Sequence, residues 1–302
     1  MNFLAMDLGG TTAKYAMSNE KGVILHEGKF FTASQNADEL LDKILKLSHD
    51  FHQKYCIQGI GVSCAGIVHP HTGQMLGSSF NMPKGWHKAE VKAYLNSRLD
   101  MPVVVENDVN SAALAELWLG AGRNLHTFIC LAMGTGIGSG IIIDKKLYYG
   151  ANYRAGEIGY IHANKGATSY WERHASTLAL VNRVKIAFEM NRRAKEEIDV
   201  IDGKYIFDLI NSDSLIKNIV DDWADILARG IADAAYILNP QAVILGGGIS
   251  EQGPMLLELL QPKIDVYCAP GFTTNIKIAE LGNHAGKLGV VKRLLDEYFT
   301  MV

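Results

Sequence analysis

Two apolar runs broken by glycines constrain this chain more than any other feature. FLAMDLGGTTAKYAM (residues 3–17) and HTFICLAMGTGIGSGIIIDKKLYYG (residues 126–150) each read as a strand, a glycine turn and a returning strand. Both are therefore hairpins. A Rossmann or Walker-type loop needs a helix to open directly after its glycines, and neither stretch offers one. One hairpin opens each half of the 302-residue chain. This weak internal repeat predicts two related domains facing each other across a cleft.

In the first turn, Gly9, Gly10, Thr11 and Thr12 would aim backbone N–H groups and hydroxyls at an anion. Lys14 would add a positive charge, and Asp7 would hold a magnesium ion through water. The alternative is an ordinary turn whose Asp and Thr are only turn formers. In the second, Gly134, Gly136, Gly138 and Gly140 alternate as GxGxGxG, unlike the GxGxxG of a dinucleotide fold.

Between the hairpins lies VVVENDVNSAALAEL, residues 103–117. Val103, Val104 and Val105 read as a buried strand bounded by Pro102, and Ser111 to Leu117 have helical composition. Asp108 falls on the hinge. A carboxylate leaving a strand end projects into whatever cleft lies there, but Asn107, Asp108 or Asn110 could equally cap the helix.

Composition excludes several classes. Hydrophobic residues make up 48% against 20% charged, which describes a globular chain. A net charge of -3 with no block of like charge suggests neither a nucleic-acid partner nor an anionic membrane. The start MNFLAMDLGG has no basic leader, and no window reaches the roughly 18 to 20 apolar residues of a membrane helix, so a cytoplasmic protein is expected. Cys56, Cys64, Cys130 and Cys268 lack the close pairing of zinc or redox motifs and read as buried thiols. His69, His71 and His87 have no carboxylate or cysteine at ligand spacing and read as surface histidines.

The rest of the chain supplies further polar candidates. A helix is predicted over residues 37–54, then a strand running to Gly66, which either lets backbone approach a ligand or only permits a bend. Asn81 and Trp86 lie in a following loop, before an amphipathic helix. Residues 151–181 are loop-like until a helix near Ser169. There Glu157, between Gly156 and Gly159, and Glu172, at the helix start, could bind a polyol or be plain solvent-facing acids. Residues 183–217 read as charged and irregularly helical, with no chemistry assigned. A helix is predicted from Ile219 to Leu238, and QAVILGGGIS repeats the pattern of a buried strand ending in glycines, Gly246, Gly247 and Gly248, where a flat ring could lie on backbone. A last helix runs from Gly286 to Phe299.

Taken in order, DLGGTTAK, SCAGIV, ENDVNSAALAE, MGTGIGSGI, AGEIGY and LGGGIS resemble the motifs of the ROK family, sugar kinases and sugar-responsive repressors of the actin-like ATPase superfamily. The resemblance implies an α/β fold of two actin-like (ribonuclease H-like) domains, mixed sheets flanked by helices. It places a smaller domain over residues 1–117, joined by the C-terminal helix 286–302, and a larger one over 118–285, with domain closure on substrate. The implied reaction moves the γ-phosphoryl group of ATP to a sugar hydroxyl, with Asp108 as base and Mg2+ as companion ion. It also assigns Asn107, Asp108, Glu157 and Glu172 to the sugar, Gly10, Thr11, Thr12, Thr135 and Gly136 to the phosphates, and Gly247 with Gly248 to adenosine. Homodimerisation follows from the family alone.

The chain departs from that pattern at one place. Most members follow GEIG with a histidine and a CxCGxxGCxE zinc cluster. Here the histidine position is Tyr160, and the cluster has become NKGATSYWE, of which Glu172 alone survives. Losing every ligand together fits a domain that uses no structural zinc. Tyr160 also removes an imidazole that would face the sugar, so the family's usual hexose preference does not carry over directly. Zinc-free members of the family that the chain resembles include kinases for β-glucosides and for N-acetylmannosamine, so the resemblance implies as substrate an aldohexose or derivative of the glucose, β-glucoside or N-acetylmannosamine type. The other readings are a sugar-sensing repressor, which needs a winged helix-turn-helix before the first hairpin, and a non-catalytic sugar-binding protein.

Overall fold

The computed structural model describes residues 1–33, 36–77, 82–163 and 168–299. The chain divides into two compact units, one of residues 1–123, 147–155 and 283–302, the other of residues 124–146 and 156–282. Among the described residues no helix is long and apolar enough to cross a membrane.

The first unit opens with strands β1 (Asn2–Leu8), β2 (Thr12–Asn19) and β3 (Ile24–Phe31), followed by helix α1 (Ala37–Tyr55) and strand β4 (Ile60–Cys64). Helix α2 (Val91–Asn96), strand β5 (Val103–Asn107) and helix α3 (Asp108–Leu119) complete its first stretch. The second unit holds β6 (Phe128–Met133), β7 (Ile137–Ile143), β8 (Lys146–Leu147), the short α4 (Glu172–Ala175), α5 (Thr177–Met190), α6 (Lys195–Asp199) and α7 (Gly203–Leu209). The long α8 (Ser214–Leu238), β9 (Ala242–Gly246), α9 (Pro254–Tyr267) and β10 (Ile276–Ile278) close it. Helix α10 (Ala285–Leu294) then belongs to the first unit.

The sheets are ordered β3-β2-β1-β4-β5 and β10-β9-β6-β7-β8. In each, a hairpin (β1 with β2, β6 with β7) is antiparallel, and its first strand pairs in parallel with a later one (β4, β9). Exchanging β1 to β5 for β6 to β10 turns one order into the other, so the two glycine hairpins do open two copies of one topology.

Side-chain alternation places the first sheet between two apolar layers. Leu4, Met6, Val103 and Val105 pack with Leu40, Ile44 and Phe51 of α1. Phe3, Ala5 and Val104 on the other face pack with Val290, Val291 and Leu294 of α10. In the second unit Ile129, Leu131, Val243 and Leu245 pack with helices α5, α8 and α9.

Some local expectations need correction. Strand β3 carries Leu25, Glu27 and Lys29 on an exposed sheet edge, so no apolar run announces it. Helix α8 starts five residues before Ile219, at Ser214, because Asp213 caps it by accepting from Leu215 N and Ile216 N. The helix expected near Ser169 starts at Glu172, since Tyr170 is held in a bridge with His162. Of the four free cysteines, Cys64 and Cys130 are buried but Cys56 is exposed and Cys268 half-buried; Cys56 ends α1 in a left-handed conformation (φ 51°) at the surface.

Candidate active site

In the first unit, parallel register lines up the ends of three strands. Asp7 pairs with Ser63 and Ser63 with Glu106; one step on, Leu8 pairs with Cys64 and Cys64 with Asn107. Residues in one row point to the same face. Asp7, Ser63 and Glu106 share the face of Phe3, Ala5 and Val104, against which α10 packs.

Asp7 Oδ1 accepts a hydrogen bond from Ser63 Oγ at 2.9 Å. Burial raises the Asp7 pKa, while the Ser63 bond and the charges of Lys14 and Lys287 pull it back. Lys287, only 3% exposed, was not legible as a site residue: it sits in α10 without a motif, and only the fold brings it beside Asp7. Lys14 Nζ donates to Asn283 Oδ1 at 2.8 Å, tethering the first hairpin to the start of the C-terminal segment. The turn is pinned as well, by Gly9 N to Thr12 O (3.2 Å), Thr32 Oγ1 to Gly9 O (2.9 Å) and Thr32 N to Thr11 O (3.0 Å). Gly10 is half-buried and Thr11 exposed.

At the strand-to-helix junction, the capping question has a definite answer. Asn107 is the cap: its Oδ1 accepts from Val109 N (2.9 Å) and Asn110 N (3.0 Å). Asp108 is the first helical residue, where a negative charge is favoured by the helix dipole. Its Oδ1 accepts from Asn107 Nδ2 and from Val109 N, each at 3.0 Å. Asn107 Nδ2 also donates to Gly66 O at 3.0 Å, so the turn after β4 and the junction are one hydrogen-bonded piece. Burial pushes the Cys64 thiol well up, and so do the nearby carboxylates of Asp108, Glu106 and Asp7, which gather around it. Asn81 lies outside the described residues.

The second unit builds a different kind of site. Its turn carries Gly134, Thr135 and Gly136, with Gly134 N bonded to Gly136 O at 3.0 Å and Gly134 O accepting from Leu178 N at 3.1 Å. Gly246 ends β9, and Gly247 follows at φ +87°, where a Cβ would lie 2.1 Å from Met133 O. Only glycine fits this crossing of the two chain segments. A cavity of about 390 Å³ opens here, lined by Met133, Gly134, Thr135, Leu178, Val181, Gly248 and Ile249, and by Ile201, Asp202, Gly203 and Lys204. The last four fall in the stretch 183–217, where no motif announces any chemistry; Asp202 caps α7 by accepting from Tyr205 N at 2.8 Å. A larger cavity of about 540 Å³ on the first unit, lined by Asn36, Lys84, Glu90 and Tyr94, contains none of the nominated residues.

Glu172 is drawn to this hairpin too. Its Oε2 accepts from Ile137 N at 3.2 Å and would stand 2.5 Å from a Cβ at Gly136 and 3.2 Å from one at Gly159. It therefore ties the glycine turn to the GEIGY turn. Glu157 is exposed and begins the short turn 158–160, and Tyr160, 54% exposed, meets Tyr170 edge-on at 5.2 Å.

Residues 161–163 and 169–171 are held together by packing and hydrogen bonds. Trp171 N donates to Ile161 O (2.7 Å) and Ala163 N to Ser169 O (2.8 Å). The buried Trp171 indole donates to Ile226 O at 3.0 Å and occupies the space left at Gly230, where a Cβ would lie 2.1 Å from its ring. Arg229 Nη2 donates to Ala163 O at 2.7 Å. Among the described residues no group of three or more His, Cys, Asp or Glu could hold a metal ion.

The ROK family model matches residues 3–296. The chain belongs to the ROK family. It is 31% identical to a glucokinase of Halalkalibacterium halodurans over 95% of this chain and 93% of the relative, and 30% identical to a β-glucoside kinase of Listeria monocytogenes over 98% of each. The crystal structure of a ROK glucokinase from Streptomyces griseus with glucose and AMPPNP matches with a TM-score of 0.82 at 28% identity, covering 97% of this chain and 99% of that one. The fold is thus that of the actin-like ATPase kinases, and the chain is an ATP-dependent sugar kinase.

Proposed function

We propose that this ROK kinase phosphorylates an aldohexose or a hexose derivative of the glucose, β-glucoside or N-acetylmannosamine type, with Asp108 as the general base. What carries the reading is the junction: a carboxylate at the first turn of α3, oriented by Asn107 Nδ2 at 3.0 Å, in the same hydrogen-bonded piece as the turn at Gly66. Asn107, Asp108, Gly66, Asn81, Glu157, Tyr160 and Glu172 are assigned to the sugar. Gly9, Gly10, Thr11, Thr12, Lys14, Gly134, Thr135 and Gly136 are assigned to the phosphates, and Gly246, Gly247 and Gly248 to adenosine.

Phosphoryl transfer passes through a loose transition state, so the protein chiefly aligns the acceptor, offsets phosphate charge and takes one proton late. Asp108 holds the acceptor hydroxyl and receives its proton as the new P–O bond forms and the bond to the ADP oxygen breaks. Backbone N–H groups of the glycine turns, with Lys14, offset the phosphate charge. The donors at Asp7, a carboxylate beside the Ser63 hydroxyl, are hard oxygens that suit Mg2+ held through water. When bound, that ion would neutralise charge on the phosphates. No structural zinc is assigned to the loop whose described flanks Trp171 and Arg229 hold by packing and hydrogen bonds. A cytoplasmic homodimer completes the proposal.

An ADP-release assay over glucose, aryl β-glucosides and N-acetylmannosamine tests the assignment. Sugar-dependent ADP release with at least one of them is expected, and a purified protein that releases none would overturn it.

A further inference from the structure

Behind the candidate base lies a buried charge cluster to which the reaction assigns no role. Glu106 is 1% exposed, and both its oxygens are in use. Oε1 accepts from Asn107 N at 2.8 Å and from Asn110 Nδ2 at 3.2 Å, the two residues that frame Asp108. Oε2 accepts from the Tyr149 hydroxyl at 2.7 Å and from Arg293 Nη1. Arg293, 8% exposed, also donates to Val105 O at 2.9 Å and to Pro70 O, and its Nε lies 3.7 Å from Glu297. One guanidinium thus fastens α10, the end of β5 and the turn at Pro70 to one carboxylate.

Burial works against the Arg293 charge, yet Glu106, Tyr149 and Glu297 together hold its pKa above the ordinary value. Burial, and after it Glu106, raises the Tyr149 phenol far out of the range in which it could ionise. Tyr149 is therefore a fixed donor and Arg293 a fixed cation.

We propose that Arg293 and Tyr149 are positioning residues for phosphoryl transfer: they fix Glu106, Glu106 fixes the backbone of Asn107 and the amide of Asn110, and Asn107 aims Asp108. This rests on the reading of Asp108 as base. Arg293 has a second consequence, electrostatic in kind. An unpaired Glu106 carboxylate two residues from Asp108 would favour the protonated, inactive acid. With Arg293 bound to it, the carboxylate presents little net charge. The other ionisable groups gathered here are Cys64 on β4, near Asp108, Glu106 and Asp7, with Lys287 on α10 and Lys14 on β2 near Asp7 on β1.

The test is the pH dependence of kcat in full-length Arg293→Met, with Glu106→Gln/Arg293→Met and Tyr149→Phe beside it. Arg293→Met should lower kcat by about 10- to 100-fold, leave the KM for ATP within about twofold, and move the acidic limb of the profile upward by about one unit. The double variant should return the limb to its wild-type position, because the uncompensated charge is gone. Tyr149→Phe should cost about 2- to 5-fold in kcat with no movement of the limb. A limb that stays put in Arg293→Met, or stays displaced in the double variant, overturns the proposal. Should Arg293→Met fail to fold, Arg293→Lys keeps the charge without the fork: lower kcat with an unmoved limb is expected, and unchanged kcat there overturns it. Asp108→Asn assayed alongside separates the two levels, since full turnover in that variant removes the base itself, whereas an unmoved limb in Arg293→Met removes only the positioning.

Discussion

The two units share a strand order yet equip the same positions with opposite chemistry. In the first, the hairpin strands carry Asp7 and Lys14, and the partner strands carry Ser63 and Glu106 one residue before their ends, on the side of the two buried cations Lys287 and Arg293 of α10. In the second, the corresponding hairpin ends in Met133, Gly134, Thr135 and Gly136, and the corresponding strand in Gly246, Gly247 and Gly248. At these strand ends one copy offers charged side chains and the other bare backbone, beside a cavity whose apolar walls also carry Asp202, Lys204 and Glu251. On the proposed reading the difference suits phosphoryl transfer, which needs a proton acceptor for the sugar and backbone donors for the phosphates.

The comparison can be broken first on the backbone side. Gly247→Ala places a methyl against Met133 O at an unfavourable φ of +87°, and should cost ATP affinity about 100-fold, or about 3 kcal/mol, by calorimetric titration. Sugar affinity should stay near wild type; equal loss for both ligands would show that the two units do not divide the work as described.

On the charged side, Asn107 combines two jobs, and two substitutions separate them. Asn107→Ala should lose about 1 kcal/mol of cap stability together with about 10-fold in kcat, read by thermal unfolding and steady-state kinetics. Asn107→Asp keeps a capping oxygen but no Nδ2 donor to Asp108 and Gly66, so stability should recover while kcat remains low. Recovery of both would reduce Asn107 to a helix cap.

Two smaller effects sharpen the account of the second unit. Chelator treatment should leave thermal unfolding unshifted, because Trp171 and Ala163 on the flanks of the loop are anchored to the long helix at Ile226 and Arg229; a fall of several degrees would mean a structural metal. His174 is held below its ordinary pKa of 6.5 by burial and by Arg183, Arg173 and Arg229. The unfolded chain therefore takes up that proton first as pH falls, and stability is lost from about pH 6.5 down through the folded pKa. His174→Gln should flatten that slope in unfolding measured at successive pH values, and an unchanged slope would place its origin elsewhere.

Much of this was readable before folding. Glycine turns between apolar runs marked both hairpins and the repeat, because backbone geometry there is set by local sequence. The motif order carried the family, and with it the junction at Asp108. What stayed hidden depends on long-range register. Lys287 and Arg293 look like ordinary helix charges until α10 returns to the first sheet, 188 positions along the chain from Val105. Glu106 stood inside a quoted motif, yet its partners Tyr149 and Arg293 come from distant segments. Ile201 to Lys204 line the second cavity without any periodic signal, and β3 is an exposed edge strand with no apolar alternation to betray it.

The division of labour is tested most directly by Asp108→Asn, measured for nucleotide binding and for sugar-dependent ADP release in the same preparation. ATP affinity and unfolding temperature should match the wild type, since Asn107 retains the cap, while turnover falls by about 10²- to 10⁴-fold. Turnover close to wild type would contradict the account at its centre, and so would loss of ATP binding along with turnover.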